Sequence, residues 1–323
     1  MIDRLSIPTP FRVGPVNCYL LEDDPLTLFD VGPNSGASLV ALEGGLRERG
    51  HEIEHLERIV ITHHHTDHLG LVGILADRSG AEVCALDLLA PVVEDFAGYA
   101  ERSDELARAL MLRHGVEPDV VTALSAVSRA YRGWGGSAQV TRTLQDGGEL
   151  TFANRTFQVH HRPGHSPGDT VFFDAADGTL IAGDHLIERI SSNPLIAPPL
   201  DGSGAERPRA LITYLASLRA TQQMPVKVVL PGHGEPFDGH AALIEDRFAM
   251  HERRARKILG LIEEQPRSAH AIAEAIWGNV SVTQAFLTLS EALGHIDLLL
   301  ERGQVVEAEQ DGVVVWATSR SSS

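Results

Sequence analysis

Cysteine is nearly absent from this chain: Cys18 and Cys84 are the only two, too few for a disulfide framework and not spaced as a metal pair. The expectation is a reducing cytoplasm, with both thiols acting as small buried hydrophobes. Lysine is equally scarce. Lys227 and Lys257 stand alone, and arginine supplies the rest of 27 basic residues against 44 acidic ones. The net charge of -17 repels polyanions on average, which disfavours nucleic acid as a partner. No apolar run approaches the roughly 18 residues of a membrane span. The start, Met1-Ile2-Asp3-Arg4-Leu5, lacks the basic-then-apolar pattern of a leader. A chain without membrane contact is expected, and 323 residues suit two domains of about 100 to 200 residues each.

Histidine, by contrast, is plentiful, and its placement carries the chemistry. The run His63-His64-His65-Thr66-Asp67-His68 follows the apolar stretch Arg58-Ile59-Val60-Ile61-Thr62, which reads as a strand delivering ligands to a loop at its end. Three further segments share that style. His165 lies in Pro163-Gly164-His165-Ser166-Pro167-Gly168-Asp169, Asp184 ends Leu180-Ile181-Ala182-Gly183-Asp184, and His233 lies in Leu230-Pro231-Gly232-His233-Gly234. Each sets a His or Asp after a strand-like run, beside glycines that let the backbone turn. Neutral imidazole and carboxylate are zinc ligands, and two ions can share so dense a cluster.

The sequence resembles the metallo-β-lactamase superfamily, whose motif His-x-His-x-Asp-His is followed by a His, a bridging Asp and a final His. Carried over position by position, the resemblance implies one metal on His63, His65 and His165, a second on Asp67, His68 and His233, and Asp184 bridging them. His64 falls on the variable position. Asp30, in Leu28-Phe29-Asp30-Val31-Gly32, matches the family's early Asp-x-Gly, which supports the metal loop without binding metal. The resemblance spans residues 1–240 and implies the αββα sandwich of that family. Zinc β-lactamases lack the bridging aspartate, so Asp184 points to the binuclear hydrolases. His65 stands where the flavodiiron branch has glutamate, which disfavours a redox role.

Local pattern places strands at residues 17–22, 27–31, 58–62 and 82–86, a helix at 36–49 ending at Gly50, and an apolar helix at 69–77. Hairpins are expected across residues 149–160, turning at Ala153-Asn154-Arg155, and 170–181, turning at Asp177-Gly178. Between the halves, residues 95–135 form a helical insertion, with helices expected at 104–114 and, opened by Pro118, at 119–132. The insertion reads equally as core packing or as a lid, in which case Phe96, Tyr99 and Met111 favour a partly apolar substrate. Residues 1–244 are taken as the catalytic domain and 245–323 as a small α+β domain. There, helices at 251–264, 269–277 and 283–302 and a hairpin turning at Asp311-Gly312 resemble the winged-helix domain of lactamase-β-like protein 2 relatives. Its third helix lacks Arg and Lys over residues 283–300, unlike a helix that reads nucleic acid. Packing, oligomerisation or pocket closure suits it better, and Leu298-Leu299-Leu300 with the C-terminal hairpin offers a contact for a homodimer.

The expected activity is hydrolysis of an acyl bond in a small molecule (thioester, lactone or ester) by a hydroxide bridging two divalent ions, with zinc favoured and iron or manganese admissible. Asp67 and Asp184 are the expected catalytic carboxylates, Asp67 orienting the nucleophile and moving a proton. His185 and Asp169 are candidates to orient ligand imidazoles. The alternatives are a metal-dependent endoribonuclease and a non-catalytic metal-binding module.

Overall fold

In the computed structural model, which describes residues 1–202, 207–278 and 284–319, strand β2 (Val16–Leu21) is buried at every position. Its side chains serve two cores in alternation. Val16, Cys18 and Leu20 join one, while Tyr19 and Leu21 join the other, as in a strand covered on both faces. It lies in a six-stranded sheet in the order β1 (Ile2–Ile7), β2, β3 (Thr27–Phe29), β4 (Arg58–Val60), β5 (Glu82–Leu86), β6 (Arg142–Leu144). The pairings are antiparallel up to β3 and parallel from there on. A second sheet has the order β11 (Val228–Pro231), β10 (Thr179–Gly183), β9 (Thr170–Asp174), β8 (Thr156–His161), β7 (Glu149–Thr151).

The two sheets meet through Phe29, Phe157 and Phe172, whose rings pack edge to face at 5.8 and 5.2 Å. Helices α1 (Gly36–Arg47), α2 (Thr66–Leu69), α3 (Val72–Ser79) and α4 (Ala90–Glu94) lie on the outer side of the first sheet. Helix α7 (Ala210–Gln222) and the first part of α8 (His240–Glu264) cover the second. The result is the expected αββα sandwich. Cys18 and Cys84 are unpaired and buried, and burial pushes both thiols up, Cys84 to about 12.

The insertion consists of α5 (Phe96–Arg113) and α6 (Pro118–Tyr131). Helix α5 starts ahead of the expected residue 104 because Asp95 caps it, accepting from the Gly98 N–H at 3.0 Å. Phe96 and Tyr99 belong to the core of the first sheet. Met111 is packed with Leu110, Val116 and Val121 against the C-terminal helices. Met111 is therefore a core residue, whereas Tyr99 of the same insertion packs against His64 of the metal loop.

The C-terminal part runs α8, the short strand β12 (Arg267–Ser268), α9 (Ala269–Trp277), α10 (Ala285–Glu301), then β13 (Val305–Gln310) and β14 (Val313–Thr318) in the sheet order β12, β14, β13. Ser268 caps α9 by accepting from the Ala271 N–H at 3.1 Å. Asp311 and Gly312 turn the hairpin with φ of 51° and 78°, the pair of positive values that a tight two-residue turn demands. Thr283, the expected start of the last helix, lies outside the described residues. Residues 289–299 of α10 are all buried. Leu298 and Leu299 are committed to the chain's own core, while Leu300 is only partly buried and Val306 of the hairpin is exposed. No helix among the described residues is long and apolar enough to cross a membrane.

Candidate metal centre

Strand ends of the two sheets meet at one rim, and the seven candidate ligands named from the sequence all lie there. His63 and His65 follow the end of β4, Asp67 and His68 sit in the short helix α2, Asp184 follows β10, His233 follows β11, and His165 lies in the β8–β9 loop. Ligand atoms of His63, His65 and His165 lie within 4.8 Å of one another, as do those of Asp67, His68 and His233. His65 Nδ1 and His165 Nε2 are 2.9 Å apart, and His233 Nε2 is 3.3 Å from Asp67 Oδ2. Asp184 stands between the groups. Its Oδ2 is 3.6 Å from His165 Nε2 and 3.5 Å from His233 Nε2, and its Oδ1 is 3.4 Å from His68 Nε2.

Several of the imidazoles are also held from behind. Asp30, at φ 57°, accepts from the Thr62 N–H at 2.9 Å, the Thr62 hydroxyl at 2.8 Å and His68 Nδ1 at 2.7 Å. Asp30, His63 and His68 also fall within a ligand-like distance of one another, but those bonds occupy the Asp30 carboxylate, which acts as a brace. His165 Nδ1 bonds the Asn193 carbonyl at 3.1 Å, and His233 Nδ1 the Pro15 carbonyl at 2.8 Å. These contacts fix which nitrogen faces the cluster. The Pro15 and Asn193 carbonyls escape a reading of the sequence, since a backbone oxygen leaves no trace in residue type. The His233 loop is clamped across the sheets by Asn17, whose side chain donates to the Pro231 and Gly234 carbonyls, and by the Tyr19 hydroxyl on Pro231. Gly232 is obligatory in this loop: a Cβ there would stand 2.2 Å from Asp184 Oδ1 and 2.7 Å from His68 Cε1.

The electrostatics divide the imidazoles into two groups. Burial, reinforced by neighbouring imidazoles, keeps His63 and His65 well below the ordinary histidine range and so neutral, the ligand form. Burial opposes charge on His68 and His233 too, but the Asp184 carboxylate outweighs it and raises both, His233 to about 10. Against its own burial, Asp184 is held ionised by His233 and His68. Nε2 of His63, His68 and His233 and Oδ1 of Asp184 are buried without a hydrogen-bond partner. Buried polar atoms are normally satisfied, and convergent imidazole and carboxylate donors left bare are the donor set of a divalent ion.

The accessory candidates fall differently. His64 packs edge-on against Tyr99 at 4.7 Å, whose hydroxyl donates to the Pro198 carbonyl. Asp169 accepts from the Ser166 N–H and hydroxyl. It shapes the His165 loop and bonds no imidazole. His185 Nε2 faces the Thr221 hydroxyl of α7 at 2.9 Å and so packs outward against that helix. The loop after Asp184 reaches the site through the Asn193 carbonyl.

The family model described as Metallo-beta-lactamase superfamily matches residues 11–233. The "Probable metallo-hydrolase YqjP" of Bacillus subtilis (strain 168) is 31% identical over 312 residues, covering 97% of this chain and 96% of its own. The "Atrochrysone carboxyl ACP thioesterase" of Aspergillus fumigatus is 23% identical over 146 residues, 45% of this chain and 41% of its own. Among solved structures, a metallo-beta-lactamase family protein from Thermus thermophilus matches with a TM-score of 0.81 at 26% identity, covering 98% of each chain.

Proposed function

The chain belongs to the metallo-beta-lactamase superfamily and is a metallo-hydrolase of that family, and on that premise we propose that it hydrolyses an acyl bond, a thioester, lactone or ester, at a two-metal site. The supporting observation is the placement of Asp184, whose Oδ2 lies near both His165 and His233 and whose Oδ1 lies near His68, so that one carboxylate reaches both ligand groups. His63, His65 and His165 would hold one ion, Asp67, His68 and His233 the other, and Asp184 both. Zinc suits these donors, and iron or manganese could replace it. When bound, such ions bring the pKa of water toward neutrality and polarise the oxygen of the bond to be cut.

The chain's own groups supply positioning and proton handling. Asp67 turns Oδ2 to His233, which leaves Oδ1 to take a proton from the attacking water and return it to the leaving group. The Asp30, Pro15 and Asn193 oxygens keep the imidazoles in one orientation through the cycle.

Charge supports an acyl substrate over RNA. The net charge is -17, and α10, the third helix of a segment we read as winged-helix-like from its order of helix, short strand, two helices and hairpin, has no Arg or Lys and is buried from residue 289 to 299. A helix so covered has no face to lay in a groove. The thioesterase relative acts on an acyl carrier substrate by its name, which agrees with a thioester. The complete ligand set speaks against a vestigial binding module.

The test is turnover by the zinc-loaded protein of a panel of thioesters, lactones and a structured RNA, with Asp184→Asn as background. Acyl cleavage that disappears in the variant is expected. Cleavage of the RNA alone would overturn the reading and demand a local basic groove.

A further inference from the structure

A second cluster of ligand-type side chains lies between α8 and α10, built from none of the residues of the strand-end site. His251, Glu291 and His295 place ligand atoms within 4.8 Å of one another, and all three are buried, with His251 1% and His295 0% exposed. His251 Nδ1 and His295 Nε2 are 3.1 Å apart. We propose that these three residues form a further metal site, for a divalent ion of the zinc class, that pins α10 to α8.

Proton accounting supports this over a plain histidine pair. His295 Nδ1 bonds the Glu291 carbonyl at 2.7 Å, so Nδ1 must carry the proton and Nε2 offers only a lone pair. If His251 Nδ1–H donates to that lone pair, His251 Nε2 is left a bare buried acceptor without a partner. If the proton sits on Nε2, two lone pairs face each other. A cation between them turns that repulsion into two bonds. Two nitrogens at about 2.0 to 2.1 Å from one tetrahedral zinc lie about 3.3 Å apart, close to the observed spacing.

The pattern matches that of the strand-end site. There His165 anchors Nδ1 on a backbone carbonyl and sends Nε2 to within 2.9 Å of another imidazole. His295 does the same one core away. Glu291, one turn before His295 on α10 with its Oε1 3.9 Å from His295 Nδ1, is the third ligand of the group. Its carboxylate pairs with Arg254, and with about four lone-pair positions it keeps capacity for an ion. Burial lowers both imidazoles, His251 to about 3, so they remain in the neutral, ligating form.

The site would stiffen the support of the strand-end centre. Arg247 of α8 donates to the carbonyls of Ile187 and Glu188 at 3.1 and 2.7 Å. Asn193 donates its side-chain amide to the Leu287 carbonyl of α10 at 3.2 Å, while its own carbonyl holds His165. A pinned helix pair therefore fixes the loop behind a ligand of the strand-end centre.

The experiment counts metal on the full chain. Protein stripped with a chelator is titrated with Zn2+, and bound zinc is measured by elemental mass spectrometry after gel filtration. His295→Gln should bind one equivalent less than wild type. Equal zinc content in wild type and His295→Gln overturns the proposal. Should His295→Gln not fold, His251→Gln is read in the same way. Should neither fold, zinc-edge anomalous diffraction from the wild type decides: a peak among His251, Glu291 and His295 supports the site, and no peak there overturns it.

Discussion

Replacing Asp30 with asparagine isolates what lies behind the ligands. The Asp30 carboxylate is 2% exposed and accepts three hydrogen bonds, from the Thr62 N–H, the Thr62 hydroxyl and His68 Nδ1. Asparagine keeps the shape and tolerates the φ of 57° nearly as well as aspartate, so backbone strain does not confuse the result. Its amide nitrogen cannot accept, and whichever way it turns, a buried donor loses its partner. That costs about 1 to 3 kcal/mol of folding stability. Loss of the charge behind His68 also weakens its imidazole as a ligand, by about 10- to 100-fold in metal affinity or activity on the usual scale for such partners. Urea unfolding of the metal-free protein reads the first effect, and chelator competition reads the second. Wild-type stability together with zinc affinity within about twofold of wild type would refute this reasoning, since that is well below the usual effect of such partners.

Four further substitutions probe other levels of the structure. His65→Ala and Asp184→Asn should each abolish hydrolysis with the far-UV circular dichroism unchanged; full activity in either variant, with metal retained, contradicts the assigned roles. Gly232→Ala drives a methyl to 2.2 Å from Asp184 Oδ1, so the His233 loop must shift. A stability loss of about 1 to 3 kcal/mol is expected, together with weakened zinc binding by calorimetry, and wild-type zinc binding would show that the loop yields freely. His114 is lowered to about 4 by burial, then by Arg207 and Arg113. Folded His114 therefore stays neutral while the unfolded chain takes up a proton near pH 6.5, and stability falls between about pH 6.5 and 4 at up to about 1.4 kcal/mol per pH unit from this group. His114→Phe, which keeps a ring stacked toward Trp316, should flatten the urea-measured dependence by that slope; an unchanged slope excludes His114 as its source.

The ligands are legible in the sequence because their side chains are themselves the chemistry, set at the ends of apolar runs that could only be strands. Their supports are legible where a side chain does the work, as at Asp30, and invisible where a carbonyl does, as at Pro15 and Asn193. The sequence pattern starts α8 at residue 251, whereas the helix begins at His240, because ahead of residue 251 the buried stripe holds one apolar residue, Ile244, with the imidazole of His240 before it. Met111 and Phe96 show the converse limit. An apolar side chain on a helix does not reveal whether it faces a pocket or a core, and theirs face cores assembled from distant segments. The joining of the insertion to the C-terminal helices in one such core depends on contacts between segments far apart in the chain, which no local periodicity encodes.

Anomalous diffraction at the zinc edge from crystals of the zinc-loaded protein tests the two-metal site most directly. Two peaks at the strand ends are predicted, one on His63, His65 and His165, the other on Asp67, His68 and His233, with Asp184 touching both. A single peak there, or two peaks that Asp184 does not bridge, would contradict it.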